Sequence, residues 1–114
     1  MHKFIVAFKG IFLFFKEELN ARIHAVISLL VIGAGLFFNV TKSEWLSLVF
    51  AIGLVFTAEI LNTAIERTMD LVRPEKDIKV GKVKDIAAAA VLFASIIAAI
   101  IGLWIFIPYL MQHH

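Results

Sequence analysis

The fold class read from the sequence is all-α and membrane-integral: three transmembrane helices behind an N-terminal amphipathic surface helix, in a single domain. Three observations predict it. Of 114 residues, 61% are hydrophobic and only 18% charged, more apolar surface than a soluble domain of this size can bury. Charged residues are absent from 23–41, from 45–58 and from 86 onward, and at 1.5 Å per helical residue such runs match a hydrocarbon core. The basic residues flank these runs and give no nucleic-acid signature. The formal charge of +2 is slight, and cysteine is absent, which removes disulfide and thiolate chemistry.

Residues 1–17 are expected to form the surface helix. Phe4, Ile5, Phe8, Ile11, Phe12 and Phe15 recur at helical spacing, while His2, Lys9 and Lys16 form a stripe in steps of seven. That pattern suits a helix in the membrane interface with its polar stripe to water; the alternative is a straight continuation into the first span. Lys9 and Lys16 also interrupt the apolar stretch that a cleavable signal requires. The first span, 19–40, includes Gly33 and Gly35, where another helix can approach closely. NVTKSE at 39–44 reads as a turn, with Ser43 as N-cap of the next helix. The second span, 43–72, opens on Trp45, an interfacial aromatic, and stops before Pro74. A loop over 73–82 carries Pro74, Gly81 and most of the cations of RPEKDIKVGKVK. The third span, 83–110, contains the closely packing run Ala87 to Ala90 and reaches the far interface at Trp104 and Tyr109, with Pro108 fraying its end. His113 and His114 are given no role. Of the 11 lysines and arginines, Lys42 alone falls between the first two spans, so the N-terminus and the 73–82 loop are expected in the cytoplasm.

The chemistry concentrates in EILNTAIERTMD, Glu59 to Asp70. Wound as a helix, Glu59, Asn62, Thr63, Glu66 and Asp70 share one face. Acids on an otherwise apolar helix are expensive in lipid, and persist where they meet a protein interior, a cavity or an ion. Glu59 lies about 22 Å of helix beyond Glu44, hence in the cytoplasmic half of the bilayer, with Glu66 near the interface and Asp70 in or at water. Topology brings three polar groups to that level: Glu17 to His24, Glu59 to Asp70, and Lys84 with Asp85. Carboxylates at helical spacing bind Mg²⁺ together with phosphate oxygens. A partly desolvated Glu59 suits a general base, and lysine supplies charge for phosphate. The set is sufficient for phosphoryl transfer, although no GxxxxGK[ST] loop and no kinase-type glycine loop is present.

Other readings stay open at this point. Glu59 and Glu66 can be structural, paired with Arg67 or Arg22 across helices, or can belong to a proton or cation pathway. Glu18 and Arg22, four apart, can bridge each other. His24 and Asn20 lie nearly opposite Glu18 on a helix, so His24 reads as a packing or hydrogen-bonding residue, not a ligand. The cationic loop can be a topology determinant meeting anionic headgroups.

EILNTAIERTMD resembles the signature of the small prokaryotic diacylglycerol kinase and undecaprenol kinase family: Glu, any, aliphatic, Asn, Ser or Thr, small, aliphatic, Glu, two variable, aliphatic, Asp. EELNARIHA resembles the Glu-x-Asn-x-Arg-Ile-His stretch of the undecaprenol kinase branch, VKDIAAAAVL resembles the start of the family's third span, and AFKG at 7–10 fits its N-terminal helix. Asp77 departs from a frequent histidine, and the alanine run from a glycine-containing stretch. The resemblance implies a homotrimer in the bacterial cytoplasmic membrane, with active sites composed from neighbouring subunits, that transfers the γ-phosphate of MgATP to a lipid hydroxyl. Undecaprenol is favoured as acceptor by the RIH stretch, with diacylglycerol the alternative. A non-catalytic helical membrane protein is the alternative of another class. Carried over by residue, Glu59 is implied as the general base, Glu18 and Glu66 as Mg²⁺ carboxylates, Asn62 as a residue orienting nucleotide or acceptor, and Lys84 as a phosphate contact. Asp70 and Asp85 are implied to lie nearby, and Glu75 to help hold the nucleotide.

Overall fold

The computed structural model describes residues 2–73, 75 and 77–112. Four helices account for nearly all of them: α1 (His2–Glu17), α2 (Leu19–Phe38), α3 (Lys42–Val72) and α4 (Ile78–Gln112). By length and composition α2, α3 and α4 can each cross a membrane. Pro74, expected to end the second span, the loop cation Lys76, and His113 and His114 lie outside the described residues.

Each junction has a local cause. Between α1 and α2 the backbone of Glu18 is extended, at φ −110° and ψ 119°, and its side chain does not cap α2. The Arg22 guanidinium instead donates from Nη1 to the carbonyls of Phe15 at 3.1 Å and Lys16 at 2.8 Å, satisfying the last turn of α1. Helix α2 ends at Asn39 in the left-handed region, φ 55°. There Asn39 N–H donates to the Leu36 carbonyl and Val40 N–H to that of Gly35, the paired closure of a Schellman turn, with Val40 buried behind it.

Helix α3 is capped by Thr41, not by the expected Ser43. Thr41 Oγ1 accepts from Glu44 N–H at 3.2 Å, and Thr41 N–H donates to Glu44 Oε1 at 2.9 Å. This reciprocal box requires Glu three residues after the cap, a spacing that Ser43 lacks. The loop expected over 73–82 is shortened, because α4 starts at Ile78. Asp77 Oδ1 accepts from the N–H groups of Lys79 and Val80 at 2.8 and 3.4 Å, and the Asp77 carbonyl accepts from Gly81. An N-capping aspartate thus overrides the loop signal of Gly81 and the lysines. At the other end Pro108 does not fray α4, which continues to Gln112; Tyr109 stacks 5.8 Å from Phe38 and donates to Glu44, holding the final turn.

The dominant packing is α3 on α4. On α3, Leu48, Ala51, Val55 and Glu59 are buried, and on α4, Val80, Ala87, Ala94 and Ile105. Steps of three, four, seven and eleven make one stripe on each helix, and the alanines let the backbones come close. A hydrophobic cluster of Val40, Leu48 and Ile105, covered by Val31, Phe38, Trp45 and Tyr109, closes the end near the α2–α3 turn. There a Cβ added at Gly35 would stand 2.6 Å from the Trp45 ring, so that glycine is needed for contact. Gly33 faces open space. Large apolar side chains such as Leu29, Leu30, Phe50 and Phe93 are exposed all around the bundle, as befits surface that meets lipid or other chains.

Candidate active site

Helix α3 carries the polar residues toward the opposite end. Glu59 is the single charged side chain buried among the described residues, at 5% exposure. Its Oε1 lies 3.2 Å from His24 Nε2, reaching across from α2, a distance at which an Nε2–H tautomer donates to the carboxylate. Phe56, one turn before Glu59, places its ring edge-on to the imidazole with centroids 6.3 Å apart, and Phe15 of α1 packs on Phe56 at 5.6 Å. A buried acid is thereby given a hydrogen-bond partner and an aromatic wall, which a lone carboxylate at this depth would need.

Further along the same face, Asn62 Nδ2 donates to Glu66 Oε1 at 2.7 Å. Among the described residues, Asn62 Oδ1 is buried without a hydrogen-bond partner, an acceptor left unsatisfied. Arg67 spans two acids: Nη1 donates to Glu17 Oε1 and Nη2 to Glu18 Oε2, both at 2.7 Å. That fork brings Glu18, from the α1–α2 junction, to the turn of α3 that carries Glu66. Lys84 Nζ donates to Asp70 Oδ1 across α3 and α4. Beside this pair lies a cleft of about 400 Å³ lined by Asp70, Arg73, Glu75, Asp77, Gly81 and Lys84.

Of the residues expected at the site, Glu18, Glu59, Asn62, Glu66, Asp70, Glu75 and Lys84 therefore fall along one path, from buried α3 to the α3–α4 connection. Asp85 is exposed on α4 and does not line the cleft. None of the anticipated arginine pairings is found among the described residues, the Glu18–Arg22 bridge included. Arg22 serves the backbone of α1, and Arg67 takes Glu17 and Glu18 instead of Glu59 or Glu66. His24, read as a packing or hydrogen-bonding residue, is the hydrogen-bond partner of Glu59. The fork of Arg67 on Glu17 and Glu18 is not among the expected pairings. The signal for Arg67 was a cation inside the acid-rich face; its partners depend on how the α1–α2 junction lies against α3.

Among the described residues no three of His, Asp and Glu converge to hold a metal by themselves. The hard oxygen donors of Glu18 and Glu66 nevertheless fit Mg²⁺ that takes its remaining ligands from phosphates and water, because that ion needs only one or two protein carboxylates.

The family model described as prokaryotic diacylglycerol kinase matches residues 5–106. The chain belongs to this family. It is 37% identical over 107 residues to the undecaprenol kinase of Bacillus subtilis, covering 94% of this chain and 87% of that protein. It is 34% identical over 110 residues to the diacylglycerol kinase of Synechocystis, covering 96% and 63%. To the diacylglycerol kinase of Escherichia coli K12 it is 34% identical over 94 residues, covering 82% and 77%. As a prokaryotic lipid kinase of the diacylglycerol kinase family with three apolar spans, it is a multi-pass membrane protein.

Proposed function

We propose that this diacylglycerol kinase family member transfers the γ-phosphate of ATP to the hydroxyl of a membrane lipid alcohol, and that undecaprenol is the acceptor. The observation that carries the chemistry is the buried Glu59 carboxylate, hydrogen-bonded by His24, at the head of a path of acids leading to a Lys84-lined cleft. Such a gradient suits a substrate whose hydroxyl comes from the bilayer and whose phosphates come from water. His24 engages Oε1 of Glu59, and the other carboxylate oxygen meets the lipid hydroxyl. As that oxygen takes the proton, the alcohol oxygen attacks the γ-phosphorus and the bond to ADP breaks. Glu18 and Glu66 would hold Mg²⁺, which neutralises phosphate charge when bound. Lys84 offers a point charge to phosphate oxygens, and Glu75 helps hold the nucleotide. Asn62 orients the nucleotide or the acceptor. Asp70 positions Lys84, and Asp85 stands on the water-exposed flank.

Undecaprenol is placed before diacylglycerol on the RIH stretch after Glu18 and on the 37% identity to a protein of that activity. In this reading α1 lies in the interface, its end and the α3–α4 connection face the cytoplasm, and three copies assemble so that neighbouring chains complete each site. The exposed apolar side chains of α2 and α4 are compatible with such contacts. The test is purified protein in detergent, given MgATP with undecaprenol or with diacylglycerol. Phosphorylation of undecaprenol at higher kcat/KM is expected. Product from neither alcohol rejects the reaction, and preference for diacylglycerol reverses the choice of acceptor.

A further inference from the structure

Glu17 and Glu18 both end on one guanidinium, each at 2.7 Å. Glu18 occupies the N-cap position of α2, yet makes no capping bond, so among its described contacts it is Arg67 that fixes the carboxylate. The ion pair is accessible: the side chains of Arg67, Glu17 and Glu18 are 46%, 45% and 32% exposed. Pairs of that kind are weak and readily exchanged.

We propose that Arg67 is a resident counter-ion for Glu18, displaced from it when a divalent cation arrives, and retained at the site by Glu17 to meet the nucleotide phosphates. The proposal rests on the reading of Glu18 as a metal carboxylate. A dication and a guanidinium on one carboxylate repel each other, so the two compete for Glu18. Glu17 is not needed by the metal and keeps its half of the fork. The released Nη2 is then available to the triphosphate, and a guanidinium is well suited to phosphate oxygens. Arg67 thus has opposite effects on two ligands. It opposes the bare cation and supports the metal–nucleotide complex, whereas a purely structural brace would do neither.

The experiment uses the full chain in detergent with Mn²⁺ as a paramagnetic probe, titrated alone and then with ATP. Arg67→Gln should bind Mn²⁺ alone about 3- to 5-fold more tightly, the effect of losing one half-exposed ion pair, and should bind Mn–ATP more weakly than the unaltered protein. Arg67→Lys, which keeps charge but not the fork, should fall between. Mn²⁺ affinity that is unchanged or lower in Arg67→Gln, while Glu18→Gln weakens it, overturns the exchange and leaves the metal assignment standing. Unchanged Mn²⁺ affinity in Glu18→Gln overturns both. A measurement that needs no variant is the reactivity of Arg67 toward phenylglyoxal in the unaltered protein. It should rise with Mn²⁺ alone and fall with Mn–ATP, and constancy through both additions counts against the exchange.

Discussion

The two ends of the helical bundle handle polar groups in opposite ways. At the α2–α3 turn, Thr41, Glu44 and Tyr109 satisfy one another in a closed set of hydrogen bonds, next to the Val40, Leu48 and Ile105 cluster and the Gly35–Trp45 contact. At the other end, Glu59 is buried on a histidine, Asn62 Oδ1 has no partner among the described residues, and Glu18 is held by the half-exposed Arg67 guanidinium. Satisfied polar groups within packed apolar surroundings rigidify. Polar groups left partly satisfied at a lipid–water boundary are where a ligand gains most by binding. One end holds the helices in register, and the other gathers the polar residues of the candidate site.

The contrast can be broken most severely at Glu59. Glu59→Gln keeps the shape but removes the base, and turnover should fall by about 10²- to 10⁴-fold, with nucleotide binding largely retained; preserved turnover would remove the assigned role. His24→Ala should be next, lowering kcat by about tenfold, or roughly 1.4 kcal/mol of barrier, with the KM for ATP unchanged and partial recovery in His24→Gln, which restores a donor. A matching change in KM would point to a disturbed nucleotide site instead. At the closed end Gly35→Ala should act on stability, costing about 1–3 kcal/mol from the clash with Trp45, read as a lower melting temperature in detergent. An unaffected melting temperature would mean that the ring yields freely. The smallest effect is expected of Thr41→Ala, about 1 kcal/mol from loss of the cap, with kcat intact; a large drop in kcat would show that the two ends are not separate in function.

Much of the candidate site's layout was legible because it lies on one helix. Uncharged runs marked the spans, and the spacing of Glu59, Asn62, Glu66 and Asp70 needs only the helical period to define a face. What crosses between helices was not legible in the same way. Whether His24 meets Glu59 depends on the rotation of α2 against α3, and periodicity within α2 says only that it lies away from Glu18. Arg67 likewise reads as a partner for Glu59 or Glu66, and the lie of the α1–α2 junction against α3 gives it Glu17 and Glu18 instead. Helix ends were missed where two capping signals competed. Thr41 with Glu44 prevails over Ser43 because both halves of the box are present, and Asp77 starts α4 despite Gly81 and the flanking lysines.

The ring of Trp45 seated on Gly35 also sets how this hairpin is able to breathe. With α2 and α3 in close contact there, a small tilt between them is felt most near Glu59, where His24 is their hydrogen-bonded link. Glu59 stands about 21 Å along α3 from that pivot, so a rotation of only about 5° becomes roughly 2 Å of clearance beside the carboxylate. A tight contact at one end of the bundle thus makes a small swing of the helices large at the other.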